Sequence, residues 1–194
     1  MGRPVDDLDA ADFLGLDLDI DHAVTALQAY RWYGVTQLGL AARGFALESR
    51  MVKPTKGSRQ PRAVTFVLAD EELRGLSSVA LLHLAGAAEM RFVLKVGRVV
   101  GGPQAWVSSA QREAAPFKPD ALWERPDGAR VAIEFDSTHY DNDRIAEKAR
   151  RFLEFDAQVW GAPTEERVAS LKERVLAVDP RASVVVADPL RGLK

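Results

Sequence analysis

The chain has no cysteine, so disulfides and thiolate metal sites are excluded. Histidine is scarce as well. His22, His83 and His139 are the three present, and no two of them stand at metal-ligand spacing. Long apolar runs are missing: none approaches the roughly 18 residues of a membrane span. The N-terminus is acidic and lacks the pattern of a signal peptide. Together these absences make a cytoplasmic protein with no membrane partner the expectation. There is no internal repeat and no low-complexity segment.

The 194 residues suffice for one large domain or two small ones. A hydrophobic share of 47% with 28% charged residues is ordinary for a globular chain. The net charge of −2 conceals an uneven distribution. Residues 1–21 carry seven aspartates and one arginine. Residues 49–69 carry Arg50, Lys53, Lys56, Arg59 and Arg62 with no acid, and such a stretch can sit on phosphate.

Residues 1–20 read as an acidic, loosely docked tail. Helical spacing starts at Asp21, breaks at Gly34, resumes over 35–41 and stops at Gly44. A further helical piece is expected over 45–51. The basic turn region Lys53–Arg62 follows, then a strand over 63–69. Helix, short helix, third piece, basic hairpin and strand is the order of a winged helix-turn-helix, assigned to 21–76. In such a unit one helix enters a DNA groove and a basic wing meets the backbone. Lys53, Lys56, Arg59 and Arg62 are then the DNA-binding residues. The alternative is a helical cap with a solvated Lys/Arg loop.

The second unit, 77–194, begins with a long helix to about Val96. Val79, Leu82, His83, Gly86, Met90 and Val93 share a stripe, with Glu89 on its flank. Glu89 either faces the rim of a site or pairs with an arginine. Strands follow at 106–109 and on both sides of the turn Pro126-Asp127-Gly128. Alternation along the second hairpin strand sets Arg130, Ala132, Glu134 and Asp136 on one face and Val131, Ile133 and Phe135 on the buried other. Pairing of the hairpin brings Asp120 and Glu134 to one end of the sheet. Carboxylates gathered there call for a hard cation such as magnesium. A helix over 141–155, a strand at 157–160, a helix from Pro163 to about Val178 and a buried strand over 182–187 complete the chain.

This order, with Lys118-Pro119-Asp120-Ala121-Leu122 and Glu134-Phe135-Asp136 on the hairpin, resembles the PD-(D/E)XK nuclease fold over roughly the last 115 residues. The fold class expected is α/β: an N-terminal winged helix-turn-helix, then a PD-(D/E)XK-like domain with a mixed central sheet. The whole chain is similar to the replication-relaxation family of plasmid and mobile-element proteins. His83, Trp106 and Lys148 are further landmarks of that similarity. The resemblance implies that Asp120 and Glu134 are metal ligands, with the carbonyl of Phe135 as a third. The bound metal, magnesium, would activate water and stabilise departing phosphate charge.

The nuclease pattern wants a lysine two residues after the glutamate, where this chain has Asp136. Lys148 is a replacement. At 100° per residue it falls between Phe152 and Phe155 on the apolar side of its helix. It either serves the carboxylate cluster or pairs structurally with Asp136. Asp120, Glu134, Asp136, Lys148 and Glu89 are therefore the candidate catalytic residues. The leading expectation is a DNA-binding protein of plasmid or mobile-element type, acting in replication or relaxation, whose nuclease-like domain has lost or altered its activity. One alternative is an active magnesium-dependent endonuclease targeted by the winged helix. The other is a regulator or scaffold that uses the second domain to form a homodimer.

Overall fold

The computed structural model describes residues 8–53, 60–97, 105–109, 118–137 and 140–192. It is a mixed α/β protein built on two sheets and one helix that serves both. No helix among the described residues is long and apolar enough to cross a membrane.

The first correction falls at the start. Residues 10–21 are not a tail but helix α1 (Ala10–Asp21). Asp9 caps it in a reciprocal box with Asp12, its carboxylate accepting from the Ala11 and Asp12 amides at 2.9 and 3.1 Å. Ala11, Leu14 and Leu18 recur at helical spacing and are buried. Asp17 and Asp21 also point inward, onto the guanidinium of Arg91. The acid count of the segment reads as solvated; the position of those acids decides otherwise.

Next come β1 (Ala23–Thr25), α2 (Ala26–Tyr33), α3 (Gln37–Ala42), β2 (Ala46–Val52) and β3 (Arg62–Leu68). Thr25 and Thr36 cap the two helices. The three strands pair antiparallel in the order β1-β3-β2. The helical piece expected over 45–51 is therefore strand β2. Ala46, Leu47, Glu48, Arg50 and Met51 are good helix formers, but pairing with β3 from Ala46↔Leu68 to Val52↔Arg62 overrides that preference.

Helix α4 (Ser78–Val93) starts at the Ser77 cap. It is buried on both sides through Leu81, Leu84, Ala85, Ala88 and Met90. Such all-round burial marks a helix inside a molecule. It lies between the two sheets, so Val52, Phe66, Leu81, Phe135 and Val159 belong to one cluster. The units expected at 21–76 and 77–194 thus share a core. Val79 and Val93, the ends of the expected stripe, are half exposed.

The second sheet runs β4 (Ala105–Ser108), β5 (Ala121–Glu124), β6 (Arg130–Phe135), β7 (Ala157–Ala162), β8 (Ser183–Val186) in that spatial order. The first three strands form an antiparallel meander; β6, β7 and β8 are parallel. Gly128, at φ +83°, makes the β5–β6 turn. The parallel crossovers are α5 (Asn142–Arg151) and α6 (Glu165–Leu176). They and the turn after α5 cover the face opposite α4, with Ile145, Ala149, Phe152, Val168, Leu171 and Val175. Strand β6 is consequently central and buried on both faces. Of the side expected to be polar, Arg130 is exposed, but Ala132, Glu134 and Asp136 are fully enclosed.

Candidate metal centre

Strand register assembles the site. Ala121 faces Ile133 across the hairpin, so Asp120 leads into β5 beside Glu134 of β6. The amide of Phe135 donates to Asp120 Oδ2 at 2.8 Å, which fixes that carboxylate over the strand end. Helix α4 crosses the same end. Its His83 sets Nδ1 at 3.0 Å from Asp120 Oδ2. His83, Asp120 and Glu134 each offer a ligand atom, and the three atoms lie within 4.8 Å of one another. One nitrogen and two carboxylate oxygens form a workable donor set for a divalent cation.

Helix α5 brings the counter-charge. Lys148 is 4% exposed. Its ammonium donates to Glu134 Oε1, and to the Tyr140 hydroxyl at 3.2 Å. The other carboxylate oxygen, Glu134 Oε2, has no hydrogen-bond partner among the described residues. An orphaned buried oxygen is costly. It is also what a metal ligand looks like before its ion arrives, so the residues present fit a cation.

Burial and pairing set the electrostatics of the cluster. Burial pushes the Glu134 carboxyl up to about 7, and the Asp120 charge adds to this; Lys148 and His83 pull the other way. For His83, burial lowers the pKa, but the charge and hydrogen bond of Asp120 outweigh it and hold the imidazole above its ordinary value. Burial, then the charges of Glu134 and Asp120, raise the Tyr140 phenol.

Above the cluster is a cavity of about 250 Å³. His83, Asp120, Tyr140 and Lys148 form its polar side, and Lys118 and Arg144 also line it.

The other expected site residues lie elsewhere or in other pairings. Asp136, in the place of the strand lysine, does not meet Lys148. Arg167 of α6 takes it, Nε to Oδ2 at 2.7 Å, and also donates to the Tyr140 carbonyl at 3.0 Å. The expected Lys148–Asp136 pair is thus replaced by two pairs, Lys148–Glu134 and Arg167–Asp136. Glu89 is not at the cluster. It accepts from Gln28 at 2.9 Å and from Arg31 at 2.6 Å, both on α2, in the arginine-paired alternative. Of the basic residues, Lys53 follows the end of β2 and Arg62 opens β3, so both stand at the loop end of the hairpin. Lys56 and Arg59 lie outside the described residues, as does His139.

The sequence places His83 on the stripe of its helix without naming a partner, and does not single out Arg167. Nothing in linear spacing links α4 to Asp120, and Arg167 stands 31 positions after its partner. No family model matches the chain, and no curated protein or solved structure does so either.

Proposed function

We propose that the chain is a divalent-cation-dependent DNA phosphodiesterase with a PD-(D/E)XK-like catalytic unit, carried to DNA by a winged helix-turn-helix. The observation that carries this is the gathering of His83, Asp120 and Glu134 within 4.8 Å beneath an open cavity, with Lys148 alongside. The order α4-β4-β5-β6-α5-β7, with an antiparallel meander and then a parallel strand, supports the nuclease-like reading. The order α1-β1-α2-α3-β2-β3, with sheet order β1-β3-β2 and a basic β2–β3 connection, supports the winged-helix reading. The similarity to the replication-relaxation family adds plasmid or mobile-element DNA as the setting.

His83, Asp120 and Glu134 would hold the cation. When bound, it would lower the pKa of water and offset phosphoryl charge. Lys148 does the work of the missing strand lysine from the helix. Its ammonium screens Glu134 and is a proton donor facing the cavity. Phe135 and Tyr140 keep the constellation in place, the first through the Asp120 carboxylate and the second through Lys148. Arg167 neutralises Asp136 and keeps that third acid from competing for Lys148. Manganese is expected to serve at least as well as magnesium, because the set includes an imidazole.

On the DNA-binding side, α3 exposes Gln37, Leu38, Ala41 and Ala42. That face has no arginine or lysine to read guanine edges. Affinity then comes mainly from phosphate contacts at the hairpin.

A second reading is favoured by the same ion pairs. Lys148–Glu134 and Arg167–Asp136 already neutralise two of the three acids, as an inert nuclease-like domain would require. Nicking of supercoiled plasmid with manganese, magnesium or EDTA decides between the readings. Cation-dependent nicking that disappears in Asp120→Asn supports the enzyme. DNA binding without nicking under every cation supports the inert domain.

A further inference from the structure

The reacting groups of the proposed phosphodiesterase are sunk below the surface. Glu134 has no exposure and Lys148 only 4%, and the side chains of His83 and Asp120 are 14% and 17% exposed. The cavity above them, about 250 Å³, is close to the lower end of the roughly 300–1,000 Å³ range of small-molecule sites. A B-DNA duplex has a major groove about 12 Å wide and presents its phosphates on the outside of a rod. Such a rod cannot lower a paired phosphate into a recess of that size. A strand that leaves the duplex can, because one unpaired nucleotide is a small molecule.

The lining suits such a nucleotide. Part of the lining is apolar: Leu76 ahead of α4, Val79, Ala80 and Leu84 on it, and Pro119. Val79 is 48% exposed and open to contact. The Asp120 and His83 side is polar, and Lys118 and Arg144 are exposed cations in the lining. Apolar surface beside paired cations complements a base with its phosphates. The Arg144 guanidinium also sits over the Tyr140 ring at 5.1 Å, which holds a planar cation at the cavity.

Resting on the phosphodiesterase reading, we infer that this cavity takes an unpaired nucleotide, so that the substrate is single-stranded or frayed DNA rather than intact duplex. The α4 wall holds the base, and Lys118 and Arg144 hold the flanking phosphates. The N-terminal unit can still engage neighbouring duplex.

The test uses the full chain and two probes. The first is a labelled tetranucleotide, followed by fluorescence anisotropy without cation. The second is cleavage with manganese of a single strand, a blunt duplex and a duplex with a frayed end. Ala80→Leu keeps a good helix former and fills the cavity from its wall. It is expected to weaken tetranucleotide binding about tenfold, a loss of about 1.4 kcal/mol, because the added side chain occupies the space of the base. The manganese-induced rise in melting temperature should persist. Val79→Asn, at an exposed position, should act in the same direction and serves if Ala80→Leu does not fold. Single strand and frayed end should be cut at least tenfold faster than blunt duplex. Equal cutting of single strand and blunt duplex overturns the inference and leaves the phosphodiesterase standing. Unaltered tetranucleotide binding in both variants also overturns it. If no substrate is cut but the variants lose tetranucleotide binding, the cavity assignment stands and the phosphodiesterase reading falls.

Discussion

Gly86 is where the fold and the site can be perturbed by one methyl group. It faces β6 from the middle of α4. A Cβ built there would stand 2.1 Å from Phe135 Cδ1 and 2.2 Å from Cγ. Ordinary contact begins near 3.4 Å, so the ring must retreat by roughly 1 Å in an interior packed like a crystal. It has nowhere easy to go: Phe135 is 1% exposed on the central strand. Overpacking of this kind typically costs about 1–3 kcal/mol, and the severity of the overlap puts it at the top of that range. Alanine returns about 1 kcal/mol of helix propensity. The net for Gly86→Ala is a loss of about 2 kcal/mol, a fall in melting temperature of about 4–8 °C at this chain length. The site should feel it too. The Phe135 amide holds Asp120 Oδ2, so the cation-induced rise in melting temperature should shrink in the variant. Gly161→Ala is a useful comparison. Its Cβ would meet Met90 Sδ at 2.5 Å, but a thioether chain re-packs more readily than a ring, so the loss should be smaller. Gly75→Ala, with nothing within 4 Å, should change stability by no more than about 0.5 kcal/mol. Thermal and urea melts read all three. Gly86→Ala as stable as the parent would refute the close packing of α4 on β6, and with it the route by which His83 reaches Asp120.

Lys148→Met leaves Glu134 buried without its ammonium and should cost about 3–5 kcal/mol near neutral pH. Glu134 has a folded pKa raised by burial. Its contribution is therefore fully present below the unfolded value and lost as pH rises through the folded one; the deficit of the variant should shrink on acidification, and a pH-independent deficit in urea melts would contradict the pairing. Arg91→Leu strands Asp17 and Asp21, which are 1% and 0% exposed. It should cost a similar amount, about 3–5 kcal/mol, again easing at acid pH because burial raises the Asp21 pKa; unchanged melting would mean that α1 is not anchored by that ion cluster. Alanine at Lys53, Lys56, Arg59 and Arg62 together should flatten the salt dependence of DNA binding by about three to four units of slope. An unaltered slope in gel-shift titrations would remove the hairpin from the DNA-binding model.

Much of the second unit was legible in the sequence. The turn residues Asp127 and Gly128, the alternation along 130–135 and the apolar run 182–187 are local signals, and each led to its element. So did the meeting of Asp120 and Glu134, because a short hairpin allows little freedom of register. What was misread depends on partners distant in the chain. Residues 10–21 look like a tail until Arg91, some 70 positions away, receives Asp17 and Asp21. Residues 46–52 have helical propensities, yet β3 pairs with them and makes them a strand.

The site divides in the same way. Sequence alone determined which acids could gather at a strand end, that the usual strand lysine is an aspartate, and that Lys148 lies on the apolar side of its helix. Only the tertiary structure decided the pairing: Lys148 with Glu134, Arg167 with Asp136, His83 with Asp120, and Glu89 with Arg31. The physical reason is that a buried charge must find its counter-charge in three dimensions. Which of several arginines or lysines reaches it depends on how α4, α5 and α6 pack on the sheet, and no local spacing records that.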